Sequence, residues 1–340
     1  MSTRTKSAKP LPYKILGVSA GNGVMLFPLR QYIVGNIECR PDYYVKGKPL
    51  QWDVNFNSPM YKDIPKDFDN QNIDIIMGHP KCGHSSMFAL SRGKSFTSHK
   101  GEPSLDLFFR AIIKYNPKYF FLENLEGLLN TYGKDDLRDI FPDHRLIFLT
   151  GSVTRYGNSQ KTRKRLLIIG IRWDIFSRPL EKIFRRVKTY PTYTTWELLK
   201  ALPTNGDITE PIDDIITMYS GFKISLKDAQ QFWLNNPGLR HWPVNNGRMN
   251  TAPGVYINRE RDTPLTVRKT NRQFNPEGLQ MSPRELGRIQ GLTDNFLFYE
   301  DRDPKVTINK GRITVGNSPP MQMGSWILSR LKKAYQHTKT

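Results

Sequence analysis

One cysteine lies in a loop whose residue types suit a nucleophilic site. The stretch GHPKCGHSS, residues 78–86, is called the cysteine loop here, and it contains Cys82 directly after Lys81. A neighbouring cation lowers the pKa of a thiol and enriches the nucleophilic thiolate. An isolated cysteine in a turn is more often a small buried residue. The residues that accompany Cys82 therefore decide between the two interpretations.

An acidic pair follows one apolar run, and a basic stretch precedes another. The run at residues 119–122 leads into Glu123 and Asn124, and the basic stretch QKTRKR, residues 160–165, leads into another run. A carboxyl at the mouth of an apolar strand is partly desolvated, which raises its pKa and suits it to donate a proton. Arginines in a basic stretch can clamp phosphates or base oxygens. Taken singly, a capping glutamate and a solvated basic turn are the simpler explanations.

A third pattern lies near the start of the chain. The turn SAGNG, residues 19–23, follows the first apolar run, and Glu38 ends the second. A glycine-containing turn after the first strand, with an acid about 20 residues on, is how α/β sheets hold a nucleoside cofactor through its ribose. The glycine pair is weak by itself. Together with Glu38 it indicates a nucleoside site.

These groups need a sheet that brings strand ends together. Short apolar runs alternate with amphipathic segments, and residues 104–115 have helical spacing. Buried strands are predicted at residues 13–18, 33–38, 73–77, 119–122, 146–149 and 166–171. This alternation predicts the α/β class, with a Rossmann-like, doubly wound and mostly parallel sheet. Ligands of such sheets bind at the carboxyl ends of the strands, where the loops named above lie.

The chain divides into a regular and an irregular part. We predict a basic tail over residues 1–10, a catalytic domain over 11–173 and 300–340, and a smaller irregular domain over 174–299. Within the last, Ser282 followed by Pro283 and Glu285 predicts a capped helix over 282–290. A final amphipathic helix is predicted over residues 324–335.

Charge and cysteine content narrow the function classes. The chain has 51 Lys and Arg against 31 Asp and Glu, a formal net charge of +20, which favours a polyanionic partner such as nucleic acid. Its two cysteines, Cys39 and Cys82, are too few for a disulfide framework or a cysteine-rich zinc site, so we expect a reducing, cytoplasmic setting and no metal. No stretch reaches the roughly 18 apolar residues of a membrane helix, and the N-terminus lacks the apolar core of a secretory signal.

In their order along the chain, these loops resemble the motifs of the cytosine-C5 DNA methyltransferases. The resemblance covers about residues 13–172 and 263–330, and the interval between corresponds to the variable target-recognition region of that family. By this resemblance the nucleophile is Cys82, and the acid with its neighbour is the pair Glu123 and Asn124. The resemblance implies S-adenosylmethionine as cofactor, held by Ser19, Ala20, Gly21, Asn22, Gly23, Glu38, Asp63, Ile64, Pro80, Asn317 and Ser318.

The sequence departs from the family pattern at several positions. Lys81 stands where the family usually has a second proline, and Gly83 stands where it has glutamine. Ser19 replaces an aromatic residue that normally lies against the cofactor. The basic stretch at residues 160–165 resembles the family's Gln-x-Arg-x-Arg motif, and Thr162 adds one residue within it. The nucleophile Cys82, the acid Glu123 and the family's closing Gly-Asn turn, here Gly316 and Asn317, are all retained, so we expect an active enzyme.

The resemblance also implies a mechanism and a substrate. Cys82 would attack C6 of a cytosine flipped out of double-stranded DNA while Glu123 protonates N3, and Asn124 would fix the cysteine loop. Arg163 and Arg165 would hold the base and its flanking phosphates. Further DNA contacts are expected from Ser85, Gln160, Arg240, His241 and Arg248. A two-domain clamp of this kind suits a monomer.

Three alternatives remain open at this point. The same chemistry on a cytosine of transfer RNA is one, and an altered methyl donor, admitted by Lys81 or Ser19, is a second. The third is a catalytically silent DNA-binding protein on the same scaffold. Retention of Cys82, Glu123 and Arg165 argues against the third, because binding alone needs none of them.

Overall fold

The computed structural model describes residues 10–21, 23–37, 64–81, 102–186, 190–200, 215–217, 223–238, 255–258, 261–267, 272–278, 281–293, 296 and 315–338. Cys82 lies outside the described residues, as do several other residues with predicted roles. These are Asn22, Glu38, Asp63, Ser85, Arg240, His241 and Arg248.

Each of the predicted apolar runs forms a strand of one six-stranded sheet. The strands are β1 (Ile15–Val18), β2 (Ile33–Ile37), β3 (Ile75–Gly78), β4 (Tyr119–Asn124), β5 (His144–Ser152) and β6 (Lys164–Arg172), in the order β2-β1-β3-β4-β6-β5. Strands β1 to β4 pair in parallel, whereas β6 is antiparallel to both β4 and β5. Strand β5 therefore runs in the same direction as β4. The predicted mostly parallel α/β sheet is confirmed, with β6 as its reversed strand.

Several helices begin at a residue whose side chain caps them. The helices are α1 (Pro103–Tyr115), α2 (Leu128–Thr131), α3 (Lys134–Ile140), α4 (Arg178–Arg185), α5 (Thr195–Leu199), α6 (Leu226–Asn235), α7 (Pro283–Ile289) and α8 (Met321–His337). The predicted capping box of α7 is present, because the Ser282 hydroxyl accepts from the Glu285 backbone N–H and the Glu285 carboxylate accepts from the Ser282 N–H. No helix in the described part of the chain is both long and apolar enough to span a bilayer.

Both faces of the sheet are covered, which explains why its strands are apolar throughout rather than alternating. On one face, Phe108 and Ile112 of α1 pack against Leu16 and Phe120. On the other face, α4, α8 and the 3-10 turn at Phe27–Tyr32 pack against a second cluster that includes Met77, Phe121 and Ile169. Each such fully buried side chain stabilises the fold by about 1.5–3 kcal/mol relative to an exposed one.

The core of the sheet extends past residue 173. Leu180 and Phe184 of α4 are fully buried in the cluster that includes α8, although the sequence prediction assigned this segment to the smaller domain. Between α4 and α8 the described chain has the short helices α5 to α7 and two small sheets. The sheets are formed by β7 (Ile215–Thr217) with β8 (Lys223–Ser225) and by β9 (Val255–Ile257) with β10 (Arg272–Phe274).

Candidate active site

The turn after β1 lies at the topological switch point of the sheet. The chain passes from β1 to β2 on one side and then crosses back to β3 on the other side of β1, which opens a crevice at the carboxyl ends of the strands. The β1 turn, residues 19–23, has left-handed backbone at Ser19 (φ 52°), Gly21 (φ 58°) and Gly23 (φ 72°). The Ser19 N–H donates to the Ile37 carbonyl at 2.7 Å, which ties the turn to the end of β2.

This crevice fits a nucleoside cofactor. Ser19, Ala20, Gly21 and Gly23 are buried, and the left-handed glycines let the turn expose peptide groups instead of side chains. The ends of β1 and β3 approach so closely that a Cβ on Gly78 would lie 1.8 Å from the Val18 carbonyl oxygen.

The structure describes four of the remaining predicted cofactor residues, Pro80, Ile64, Asn317 and Ser318. Pro80 is buried at the end of β3, and Ile64 packs, partly buried, against the α1 side of the core. Asn317 is half-buried. Ser318 is buried, and its carbonyl accepts hydrogen bonds from Arg163 and Gln290.

Three successive residues leading to Cys82 are each held by a different element. The His79 N–H donates to the Ser19 carbonyl at 3.3 Å, and its Nε2 lies 2.7 Å from the Ala20 carbonyl oxygen. Asn124 Nδ2 donates to the Pro80 carbonyl at 3.2 Å. The Lys81 N–H donates to the Ser104 hydroxyl at 2.8 Å. The start of the cysteine loop is therefore fixed by the β1 turn, β4 and α1 together.

The sequence does not predict the contact of His79 with the β1 turn or that of Ser104 with Lys81. In the sequence, His79 is one member of the cysteine loop, and Ser104 is the start of a helix. A polar residue in the first turn of α1 is ordinary at a helix N-terminus, so the linear sequence carries no signal that Ser104 is fully buried.

The carboxyl of Glu123 is buried beside an arginine. Glu123 is 5% exposed at the end of β4, and Arg165 Nε lies 2.9 Å from its Oε1. The antiparallel register pairs Glu123 with Leu167 and Asn124 with Leu166, which brings Arg165 just past the end of β4. Burial raises the pKa of Glu123, and the positive charges of Arg165 and Arg163 only partly offset that effect. A buried carboxyl of this kind retains its proton to higher pH than an exposed one.

Arg163 has a different task from the one its sequence position predicted. Its side chain is 1% exposed and donates to the carbonyl of Ser318 at 2.7 Å, to that of Gly316 at 3.5 Å, and to that of Val267. The structure thus places the Arg163 guanidinium against protein backbone, where the sequence predicted contact with the base and phosphates. Its guanidinium is enclosed by backbone from two later segments, which it joins to the start of β6.

Gln160, predicted as a DNA contact, lies inside the protein. Its side chain is fully buried, and its Oε1 accepts from the Val267 N–H at 2.7 Å. Its Nε2 donates to Gln290 Oε1 at 2.6 Å and to Asn158 Oδ1 at 3.1 Å. The amide is thus engaged on both sides by protein and has no surface to offer DNA. It links the basic stretch to α7.

We expect Gln160→Leu to destabilise the enzyme rather than weaken DNA contact. Leucine leaves the Val267 N–H and the Gln290 amide without their buried partner, which costs about 1–3 kcal/mol of unfolding free energy. The measurement is thermal unfolding, with Gln231→Leu as control because Gln231 is exposed on α6, where its amide donates to Asn235 Oδ1 at 3.1 Å. Equal melting temperatures in the two variants, combined with weaker DNA binding by Gln160→Leu, would restore the original interpretation.

Among the described residues no group of three or more His, Cys, Asp or Glu side chains is arranged to hold a metal ion. The groups that meet at the carboxyl edge are instead a buried acid, an arginine and the start of the cysteine loop.

Comparisons with known proteins show which family the chain belongs to. The family model described as C-5 cytosine-specific DNA methylase matches residues 51–333. Type II methyltransferase M.FnuDI of Fusobacterium nucleatum is 24% identical over 305 residues, covering 85% of this chain and 82% of the relative. Type II methyltransferase M.HpaII of Haemophilus parainfluenzae is 26% identical over 276 residues, covering 72% of this chain and 71% of the relative.

Solved structures share the fold at lower sequence identity. A prophage-encoded candidate DNA modification methyltransferase from E. coli superposes with a TM-score of 0.64 at 18% identity, covering 96% of this chain and 100% of that one. The Dnmt2 methyltransferase of S. pombe has a TM-score of 0.59 at 14% identity, with coverages of 95% and 99%. The chain therefore belongs to the C-5 cytosine-specific DNA methylase family and is a DNA cytosine-5 methyltransferase.

Proposed function

We propose that this enzyme transfers a methyl group from S-adenosylmethionine to C5 of a cytosine flipped out of a specific double-stranded DNA sequence, through a bond between the Cys82 sulfur and C6. One observation carries the proposal. The consecutive residues Glu123 and Asn124 place a buried acid and the anchor of the cysteine loop side by side, because Asn124 bonds to the Pro80 carbonyl at 3.2 Å. Cys82 is two residues after Pro80.

The residues of the chain divide the chemistry between them. C5 of cytosine is a poor nucleophile, so the Cys82 thiolate adds to C6 and the displaced electron pair makes C5 reactive. Glu123 holds a proton at its carboxyl and delivers it towards N3, where charge develops. Arg165 orients that carboxyl through the 2.9 Å contact. After methyl transfer, loss of the C5 proton, elimination of the thiolate and return of the N3 proton to Glu123 restore the ring and free Cys82.

The β1 turn and its surroundings would hold the cofactor. Glu38 would bind the ribose and Asp63 with Ile64 the adenine, while Pro80 and the segment containing Asn317 and Ser318 would close the site. When bound there, S-adenosylmethionine supplies an electrophilic methyl group. The buried peptide groups of the turn would orient that methyl and exclude water from it.

DNA would lie over the same edge of the sheet. Extruding a base costs a few kcal/mol, and the net charge of +20 favours the backbone contacts that offset this cost. We assign sequence recognition to the irregular part of residues 174–299 that follows α4, with Arg240, His241 and Arg248 as contacts there and Ser85 in the cysteine loop. The enzyme would act as a monomer, with residues 11–173, helix α4 and residues 300–340 forming its catalytic domain.

The product tests the proposal directly. The full chain is expressed in cells that lack cytosine methylation, and the nucleosides of their DNA and RNA are separated and weighed by mass spectrometry. The expected result is 5-methyldeoxycytidine in DNA, with sequencing of the modified cytosines giving the target site. Cells expressing Glu123→Gln serve as control. Methylated cytidine confined to RNA, or a different C5 substituent in DNA, would contradict the proposal.

A further inference from the structure

Ser104 connects the two loops that meet at the active-site edge. It lies in the first turn of α1 and is fully buried. Its hydroxyl accepts from the Lys81 N–H at 2.8 Å and donates to the Glu102 carboxylate. Its carbonyl accepts from the Ser19 hydroxyl at 3.0 Å. One residue therefore contacts both the cysteine loop and the β1 turn.

The Ser104 hydroxyl is not needed to cap its own helix. Glu102 performs that task, since its Oε2 accepts from the Ser104 N–H at 3.0 Å and the Leu105 N–H at 3.1 Å. The Ser104 hydroxyl donates its proton to the Glu102 carboxylate oxygen. That orientation leaves an oxygen lone pair directed at the Lys81 N–H.

The hydrogen bond from the Lys81 N–H to Ser104 fixes the backbone of the residue immediately before Cys82. Consecutive Cα atoms across a trans peptide are about 3.8 Å apart, so fixing the Lys81 backbone limits where the next Cα can lie. His79 and Pro80 are held by the β1 turn and by Asn124. Ser104 supplies the last of these anchors before the nucleophile.

Ser19 completes the connection on the cofactor side. It is fully buried with a φ of 52°, an uncommon conformation for a residue other than glycine. Its backbone bonds to Ile37 and to His79, while its hydroxyl bonds to Ser104. The aromatic residue that the family pattern has at this position has no hydroxyl to make that last contact, so the link depends on a departure particular to this chain.

We propose that Ser104 is a positioning residue that sets the loop carrying Cys82 against the cofactor turn, with Ser19 holding Ser104 in place. This inference rests on the proposed function, because it assigns Ser104 an effect on addition of the Cys82 sulfur to C6. Ser104 touches neither substrate nor reacting atoms in this role. Its contribution is to the distance and direction of attack.

The test measures adduct formation in a single turnover. A duplex in which 5-fluorocytosine replaces cytosine throughout is mixed with S-adenosylmethionine and excess full-length enzyme, so the target sequence need not be known. The sulfur adds to C6 and the methyl reaches C5, but the fluorine cannot leave as a proton does, and the adduct persists. Because a displacement of about 1 Å can cost on the order of a hundredfold in rate, we expect Ser104→Ala to slow adduct formation about tenfold.

Two comparisons separate positioning from general damage. Ser177→Ala removes the hydroxyl that caps α4, accepting from the Leu180 N–H at 3.3 Å, and should leave the adduct rate unchanged. Ser104→Thr retains the hydroxyl and should recover most of the rate. If Ser104→Ala does not fold, Ser104→Cys keeps the size with a weaker acceptor and should slow adduct formation severalfold.

The outcomes are distinguishable. A slower adduct rate with the KM for S-adenosylmethionine within twofold of wild type, and a melting temperature matching that of Ser177→Ala, supports the inference. A wild-type rate in Ser104→Ala overturns it, and so does a rate loss that Thr does not restore or that parallels the loss of melting temperature. If the wild-type enzyme forms no adduct, the proposed function fails and this inference fails with it.

Discussion

Cys82→Ala is expected to abolish both methyl incorporation into DNA and the covalent adduct with 5-fluorocytosine DNA. The substitution removes the only atom assigned to bond with C6, and an unactivated C5 does not attack a methyl donor at a measurable rate. Cofactor and DNA binding should persist, because the β1 turn and the positive charge of the chain are untouched. The measurement is tritium transfer from labelled S-adenosylmethionine to DNA, with denaturing electrophoresis for the adduct.

The chain offers a matched control in its second cysteine. Cys39→Ala removes the other thiol, so it should retain the adduct and most of the methyl transfer. Turnover by Cys82→Ala at more than a few per cent of the wild-type rate would reject covalent addition through this residue. An adduct lost in Cys39→Ala and kept in Cys82→Ala would move the nucleophile to the other position.

Glu123→Gln is expected to lower the rate of adduct formation by about 10²–10⁴, the usual range for loss of a positioned general acid. Glutamine has the same shape and can still donate a hydrogen bond, but it cannot deliver a proton to N3. Thermal unfolding should change little, because a neutral amide replaces a carboxyl whose charged form is disfavoured by burial. Single-turnover trapping provides the measurement.

The pH dependence has a definite sign. Burial raises the pKa of Glu123 above its ordinary value, and the protonated form is the active one. The wild-type rate should therefore be maintained to higher pH than an ordinary carboxyl allows, and then fall as Glu123 loses its proton. Glu123→Gln should lack this alkaline decline. An identical decline in wild type and Glu123→Gln would assign the titration to another group.

Removal of Arg165 tests its effect on the pKa of Glu123, with which it forms an ion pair. The positive charge of Arg165 lowers the pKa of Glu123, so Arg165→Gln should move the alkaline decline to higher pH. Arg172→Gln is the control, because Arg172 lies at the opposite end of β6 and pairs with Asp174, with Nε and Oδ1 2.7 Å apart. A decline that moves equally in both variants would show that net charge, not the contact with Glu123, is responsible.

Much of the fold follows from local sequence patterns. The strands of the main sheet are continuous apolar runs because helices cover both faces, and such runs are recognisable without any partner. The capping box at Ser282 and Glu285 uses residues three positions apart, so it too is visible in the sequence. The alternation of these elements indicated the parallel sheet and the edge at which the polar loops meet.

The sequence was least informative where a polar side chain bonds to distant backbone. Gln160 and Arg163 lie in a basic stretch of the kind that often binds phosphate, yet both side chains are buried. The carbonyls that Arg163 contacts lie 104 to 155 positions later in the chain. Likewise, Leu180 and Phe184 joined the core of the sheet because α4 packs on α8, which no local pattern reveals.

The sequence by itself determined the family, the order of the strands' apolar runs and the identities of the candidate nucleophile and acid, since these depend on residue type and short spacing. The tertiary structure alone decided which polar groups are buried and what they bond to: Glu123 with Arg165, Asn124 with the Pro80 carbonyl, and Ser104 between two loops. The physical reason is that a buried hydrogen bond must be satisfied by whichever group the packed elements bring within about 3 Å, wherever that group lies along the chain.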